Sequence, residues 1–398
     1  MPFFQADYIY PVSQKPIANG IVHTSNTGQI LNIHHHNNDH IIEPSAIQYF
    51  KGIITPGFVN AHCHLELSHL YNKMPEHTGL IGFIKQLQQI RNQSKEEIEE
   101  ATIQWQQKMY AAGIVAVGDI CNGTNSLKAK QKEILHYHNF LELFSFNPDK
   151  ANESLQHGLS LLNEFNKVVL NKTKFTSGIS PHAPYSTSLN LIKLIADLPL
   201  KAQQPLFIHN QESEPELKMY LEGKGDFMDM LHSFGINTKH WQIQPKGSML
   251  TIANLMQQNT KMLWVHNTFS TASEIDSVIK LLPNSFFCLC PNANLFIENK
   301  LPNFNLFQSY KDKVCLGTDS LASNHQLSIL SEMQTIQQNS NTDFETLLQW
   351  ATINGAKALG FEDTIGSIEI GKIPGLNLIE FTNAEVSLTN IKQVRPLI

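Results

Sequence analysis

A chain of 398 residues, 41% hydrophobic and 16% charged, is globular and long enough for one large domain with a small accessory unit. Its formal net charge of −6 excludes a general polyanion binder, and with Arg91 and Arg395 as the only arginines no arginine cluster can grip phosphates. Five cysteines, an odd count spread over strand-like segments, read as reduced, buried thiols of an intracellular protein.

In chain order, the opening stretch MPFFQADYIYPV lacks the basic start and long apolar core of a signal peptide. No run approaches the length of a membrane span, so the expected location is cytoplasmic. Residues 1–50 carry no helical pattern; DYIYPV, IVHTS and QILNIH read as short strands. The triplet His34, His35, His36, followed by Asn37 and Asn38, reads as a polar turn between such strands.

After about residue 50 two textures alternate. One is short, β-branched and apolar: ITPGFVNAH, GIVAVGDI, NFLELFSF, KFTSGISPH, PLFIHN, MLWVHN, FFCLCPN and VCLGTDS. The other is longer and helix-like, as in SKEEIEEATIQWQQKMYAAG, which starts on the capping pair Ser94 and Glu97 and stops at Gly113. Thr342 with Glu345 repeats the capping pattern near the C-terminus, and Trp105 and Trp350 read as core. Eight apolar strands separated by helices predict a (β/α)8 TIM barrel over 55–361. The tail GSIEIGKIPGLNLIEF is β-rich like the N-terminus. Residues 1–54 plus 362–398 are therefore expected to form one small β unit built from both chain ends.

In such barrels chemistry gathers where strands end. His62 and His64 end strand 1, His182 ends strand 4, His209 and Glu212 follow strand 5, His266 ends strand 6 and Asp319 follows strand 8. A single histidine there is more often a packed core residue than a ligand; several at one height are hard to explain that way. His-x-His puts two imidazoles on one face. With His209 and Asp319 it gives three nitrogens and one carboxylate oxygen, a donor set for Zn2+ or Fe2+ that leaves a position for water.

PGFVNAHCHLE, SPHAPYS, HNQES, VHN and LGTDSLASN together resemble the amidohydrolase superfamily across essentially the whole chain. Within it they are similar to the cytosine deaminase and triazine hydrolase branch, which includes guanine, adenosylhomocysteine and aminofutalosine deaminases. The resemblance implies a distorted (β/α)8 TIM barrel with a small β-sandwich built from both chain ends, metal ligands at His62, His64, His209 and Asp319, and His266 facing the attacking water. It implies a catalytic Glu212, as in the deaminases' His-x-x-Glu pattern; the alternative is a carboxylate at a helix N-terminus. The strand-4 region FTSGISPHAPYS has no lysine to bridge two ions, so one divalent ion is expected, zinc first and iron as the alternative.

The implied reaction is hydrolytic deamination of an aminated heterocycle or nucleoside. Metal-bound water has its pKa lowered towards about 7 and attacks an sp2 carbon. Asp319 takes the water's proton, Glu212 protonates the ring nitrogen and assists departing ammonia, and His266 hydrogen-bonds the attacking oxygen. Hydrolysis of a C–Cl or cyclic amide bond is the competing reaction, and a catalytically silent binding barrel the non-enzymatic reading.

Glu66, His182, Tyr185 and Asn292 are expected to contact substrate, with simple packing as the alternative, and His69 divides evenly between the two. Asn292 stands where relatives with CPRSN carry an arginine, so the preferred substrate is not expected to need a guanidinium partner. The polar stretch 237–250 is a candidate lid. The expected partner is a small-molecule substrate, with no nucleic acid and no membrane, and a homodimer is allowed.

Overall fold

A computed structural model describes residues 1–35, 42–168, 171, 173–199, 204–382 and 386–398. His36, Asn37 and Asn38 of the expected polar turn lie outside the described residues. Eight parallel strands alternate with helices: β1 (Phe58–Cys63), β2 (Ile114–Cys121), β3 (His136–Leu143), β4 (Phe175–Pro181), β5 (Pro205–Asn210), β6 (Lys261–His266), β7 (Ser285–Leu289) and β8 (Val314–Leu316). They form two four-stranded sheets, β1 to β4 and β5 to β8, each in sequence order. Hydrogen bonds cross both gaps. Thr318 and Asp319 donate backbone N–H to the His62 carbonyl at 3.0 and 3.1 Å, and His209 N–H donates to the His182 carbonyl at 2.9 Å.

Inward-facing apolar side chains such as Val59, Ile120, Phe140, Phe207, Val265 and Cys288 pack between the sheets, while outer faces bury against helices through Trp105, Trp264, Phe287 and Trp350. All five cysteines are free and buried. Ser94 and Glu97 form the expected capping box of the helix Lys95–Ala111. At the second expected box the cap is one residue later: Asp343 accepts from Thr346 N–H at the start of Phe344–Ala351. The third strand also begins earlier than its apolar run suggests, at His136, and stops at Leu143, leaving Phe144 exposed.

Both chain ends enter one mixed seven-stranded sheet. Its central strand, Ile47–Pro56, pairs in parallel with Phe3–Ile9 and antiparallel with Leu376–Phe381, and leads through Gly57 directly into β1. Among the described residues no helix is long and apolar enough to cross a membrane.

Candidate active site

The strands bring His62, His64, His209, His266 and Asp319 together. Donor atoms of His62, His209, His266 and Asp319 lie within 4.8 Å of one another. His64 Nε2 approaches from the end of β1, 3.3 Å from His209 Nε2 and 3.2 Å from Asp319 Oδ1. His62 is completely buried, and neither ring nitrogen has a hydrogen-bond partner among the described residues; its Nε2 stands 3.4 Å from Asp319 Oδ1. Burial takes His62 and His266 down to about 3 and His209 well below the usual imidazole value, so these rings are neutral and offer lone pairs. For His64 burial acts the same way, but the hydrogen bond and charge of Asp319 outweigh it and raise its pKa. Burial also opposes ionisation of Asp319; the imidazoles of His62 and His64 overcome it and hold the carboxyl well below its ordinary value. Orphaned imidazole nitrogens converging on one carboxylate oxygen fit a divalent cation.

Neighbouring groups orient this cluster. His209 Nδ1 lies 2.8 Å from the His182 carbonyl, which fixes the tautomer and turns Nε2 inward. Ser323 Oγ donates to Asp319 Oδ2 at 2.5 Å. Asp319 itself is left-handed, with φ +56°, as are His266 (+76°), Asn267 (+58°) and Gln211 (+46°). Such backbone is disfavoured for residues with a Cβ, by about 1–3 kcal/mol each, and survives only where the surroundings enforce it. At Asn267 the enforcement is visible: its amide donates to the carbonyls of Trp264 and Cys288 and accepts from Asn210. Gly317 is required as glycine, because a Cβ there would lie 2.8 Å from His62 Cβ and 2.9 Å from Cys288 Sγ.

Glu212 is buried, and its Oε1 lies 3.6 Å from His266 Nε2. Burial first, and the Asp319 charge second, push its carboxyl well above the ordinary value. His182 sits against His209, its ring centroid 4.8 Å away, with Nδ1 2.5 Å from Ser186 Oγ. Tyr185 is buried with its ring stacked on Phe227 at 4.2 Å and edge-on to His182 at 5.8 Å.

Two cavities adjoin the cluster along Arg91, Asn92 and Asn122. One, of about 300 Å3, is lined by His64 and Glu66; the other, of about 650 Å3, by Glu142 and Lys150. Asn122 ties their walls together. Its N–H donates to Glu66 Oε2 (3.1 Å), its amide donates to Glu142 Oε2 (2.8 Å), and its amide oxygen accepts from Arg91 Nη2 (3.2 Å). The other oxygen of each carboxylate is buried with no hydrogen-bond partner among the described residues. Glu142 Oε1 is also 3.9 Å from both His182 Nε2 and His209 Nδ1. His69 packs as a latch, its ring nitrogens each 3.0 Å from the carbonyls of Glu66 and Arg91.

Asn292 differs from its expected role. Its amide donates to Ser331 and Glu332 and accepts from Thr335, so the side chain is committed to the helix Ile329–Gln338. Two residues on, Asn294 reaches the site instead, 3.5 Å from His266 Nδ1 and 2.8 Å from Thr268 Oγ1. Sequence reasoning passed over Asn294, Asn122, Glu142 and Ser323; position alone, just beyond or within a strand end, was the available signal for Asn122 and Glu142. The segment 237–250 is anchored by Trp241, whose ring packs on Phe146 and Tyr220 and whose Nε1 donates to the Met219 carbonyl.

The amidohydrolase family model matches residues 53–395. The chain belongs to that family, and acts on C–N bonds. It is similar to an adenosine deaminase of Helicobacter pylori, 26% identical over 341 residues that cover 84% of this chain and 80% of that protein. Among solved structures, it resembles the Helicobacter pylori aminofutalosine deaminase in complex with methylthio-coformycin (TM-score 0.86, 21% identity, all of both chains). It also resembles a zinc complex of atrazine chlorohydrolase from Arthrobacter aurescens (TM-score 0.74, 13% identity, 100% of this chain and 97% of that one).

Proposed function

We propose that this amidohydrolase is a metal-dependent hydrolytic deaminase that releases ammonia from the aminated heterocycle of a nucleoside, with one divalent ion, zinc first, per chain. The observation that carries the reading is Glu212: a buried carboxyl whose pKa its surroundings raise, 3.6 Å from His266 and three residues beyond His209. A hydrolase of a C–Cl bond would share the need to protonate the ring nitrogen, but its chloride would leave without taking up a proton. The similarity to an adenosine deaminase along most of both chains points the same way.

His62, His64, His209 and Asp319 would hold the metal, with His266 beside them. The ion supplies Lewis acidity that makes water nucleophilic at neutral pH. Asp319, an ionised carboxylate fixed by Ser323, would accept the water's proton. Glu212 gives its proton to the ring nitrogen next to the attacked carbon and helps deliver another to the leaving amine. His266, neutral and oriented by Asn294, hydrogen-bonds the oxygen on which charge develops. Glu66 and Glu142, each with a free buried oxygen, accept donors from the part of the substrate that does not react. Tyr185 and His182 line the heterocycle's side. The two four-stranded sheets act here as one (β/α)8 barrel over 55–361, with 1–54 and 362–398 as its β-sandwich companion.

The test is ammonia release from a panel of adenine nucleosides, free purines and pyrimidines, set beside chloride release from chlorinated triazines, using protein of known metal content. Turnover of a nucleoside with ammonia as product supports the reading; chloride release alone, or turnover that persists after the metal is stripped, overturns it.

A further inference from the structure

Behind the end of β1 lies a fully buried ion pair that the reaction scheme leaves without a task. Lys130 Nζ sits 2.5 Å from Asp119 Oδ2, and neither side chain has any exposed surface. The remaining ammonium protons are also placed, on Ser126 Oγ at 2.9 Å and Cys121 Sγ at 3.2 Å, with the rings of Tyr137 and Phe165 around them. Replacing such a pair by apolar groups is often neutral or stabilising, so stability alone does not explain its presence.

Its other contact does. Asp119 Oδ1 accepts the N–H of Leu65 at 2.8 Å. Leu65 opens the short helix Leu65–Leu70, whose own N-cap residue, His64, provides no side-chain cap. Asp119 therefore caps that turn from the neighbouring strand, and the residue it caps is a proposed ligand. Cys63 is clamped at the same level on both sides, opposite Asp119 on β2 and bridged to Asp319 after β8.

We propose that Asp119 is a positioning residue for His64: its carboxylate fixes the peptide after His64 so that Nε2 stays on Asp319 and His209, and Lys130 balances the buried charge that this carboxylate carries. The proposal rests on the reading of His64 as a metal ligand. Groups behind a ligand typically change metal affinity by 10–100-fold when removed.

The experiment uses the full chain loaded with Co2+, whose visible absorption reports ligand geometry, together with Co2+ titration of the metal-free protein and its thermal stability. Asp119→Asn with Lys130→Met removes both charges but keeps an acceptor for Leu65. Asp119→Leu with Lys130→Met removes the acceptor as well. The first should keep the parent spectrum and an affinity within about threefold. The second should shift the spectrum and weaken Co2+ binding about 10–100-fold at similar stability. A parent-like spectrum and affinity in the leucine pair overturns the proposal, as does equal loss in both pairs. Failure of either pair to fold counts against it in the same way, because the ion pair would then be serving the fold. His64→Asn separates the two readings: if it leaves the spectrum unchanged, His64 is not a ligand; if it changes the spectrum and the leucine pair does not, the positioning role alone is lost.

Discussion

The first four strand ends and the last four meet the same cluster in different ways. At the ends of β1 to β4, none of His62, His64, Glu66, Asn122, Glu142 and His182 has a positive φ, and the two cavities open there. At the ends of β5 to β8, Gln211, His266, Asn267 and Asp319 are all left-handed, and Glu212, His266 and Asp319 are buried. The relaxed half leaves room for a molecule to enter; the strained half fixes groups that must not move while bonds change. On the proposed function, the groups that would bind substrate gather at the first four strand ends and those that would move protons at the last four, with the metal ligands shared between them.

Substitutions should respect that division. The largest effect is expected for His209→Ala, which removes a nitrogen from the centre of the cluster. The purified variant should retain little metal by elemental analysis, and its turnover should fall to background. Next comes Glu212→Gln, which keeps the side chain's size and removes its proton. Its kcat should fall by roughly 10²–10⁴ with metal content unchanged. A near-normal kcat would reduce Glu212 to a helix-terminal carboxylate and erase the distinction between the halves. On the other side, Glu142→Gln should raise KM about tenfold, the scale of one lost hydrogen bond to a charged group, and leave kcat nearly unchanged. A fall in kcat without a rise in KM would put the relaxed half into the chemistry. The smallest effect on catalysis is expected for Asn292→Ala. Its kcat/KM should stay within about twofold, while the denaturation midpoint reports a loss of about 1 kcal/mol from the severed bonds to Ser331, Glu332 and Thr335.

The residues that were legible in the sequence are those whose signal is local. Strand ends followed by His or Asp stand out because an apolar run stops and a titratable group follows at once. The helix Gly79–Ile90 was invisible by the same logic. It carries Gly79 and Gly82, Thr78 makes no side-chain cap, and Leu80 N–H is accepted instead by Glu298, 218 positions away. Asn292 misled because its neighbours resemble a substrate-binding motif, whereas its fate is decided by Glu332 on a helix 40 residues on. Glu142 lies within an apolar strand and becomes recognisable only when Asn122 and His182 are seen beside it. The left-handed backbone at His266 and Asp319 has only a weak signature in residue type, since His and Asp adopt it more readily than most side chains but far less than glycine.

The strand Ile47–Pro56 has a consequence for how the molecule is made. One neighbour, Phe3–Ile9, leaves the ribosome before it; the other, Leu376–Phe381, leaves only after all eight barrel strands. At common rates of synthesis that interval is on the order of tens of seconds. Throughout it, Ile53 and Ile54, wholly buried in the finished molecule, belong to a strand with one side unpaired. Such a side invites pairing with another chain. Leu376–Phe381 therefore acts as a seal on the earlier strand, and a chain shortened before Leu376 would keep that side unpaired.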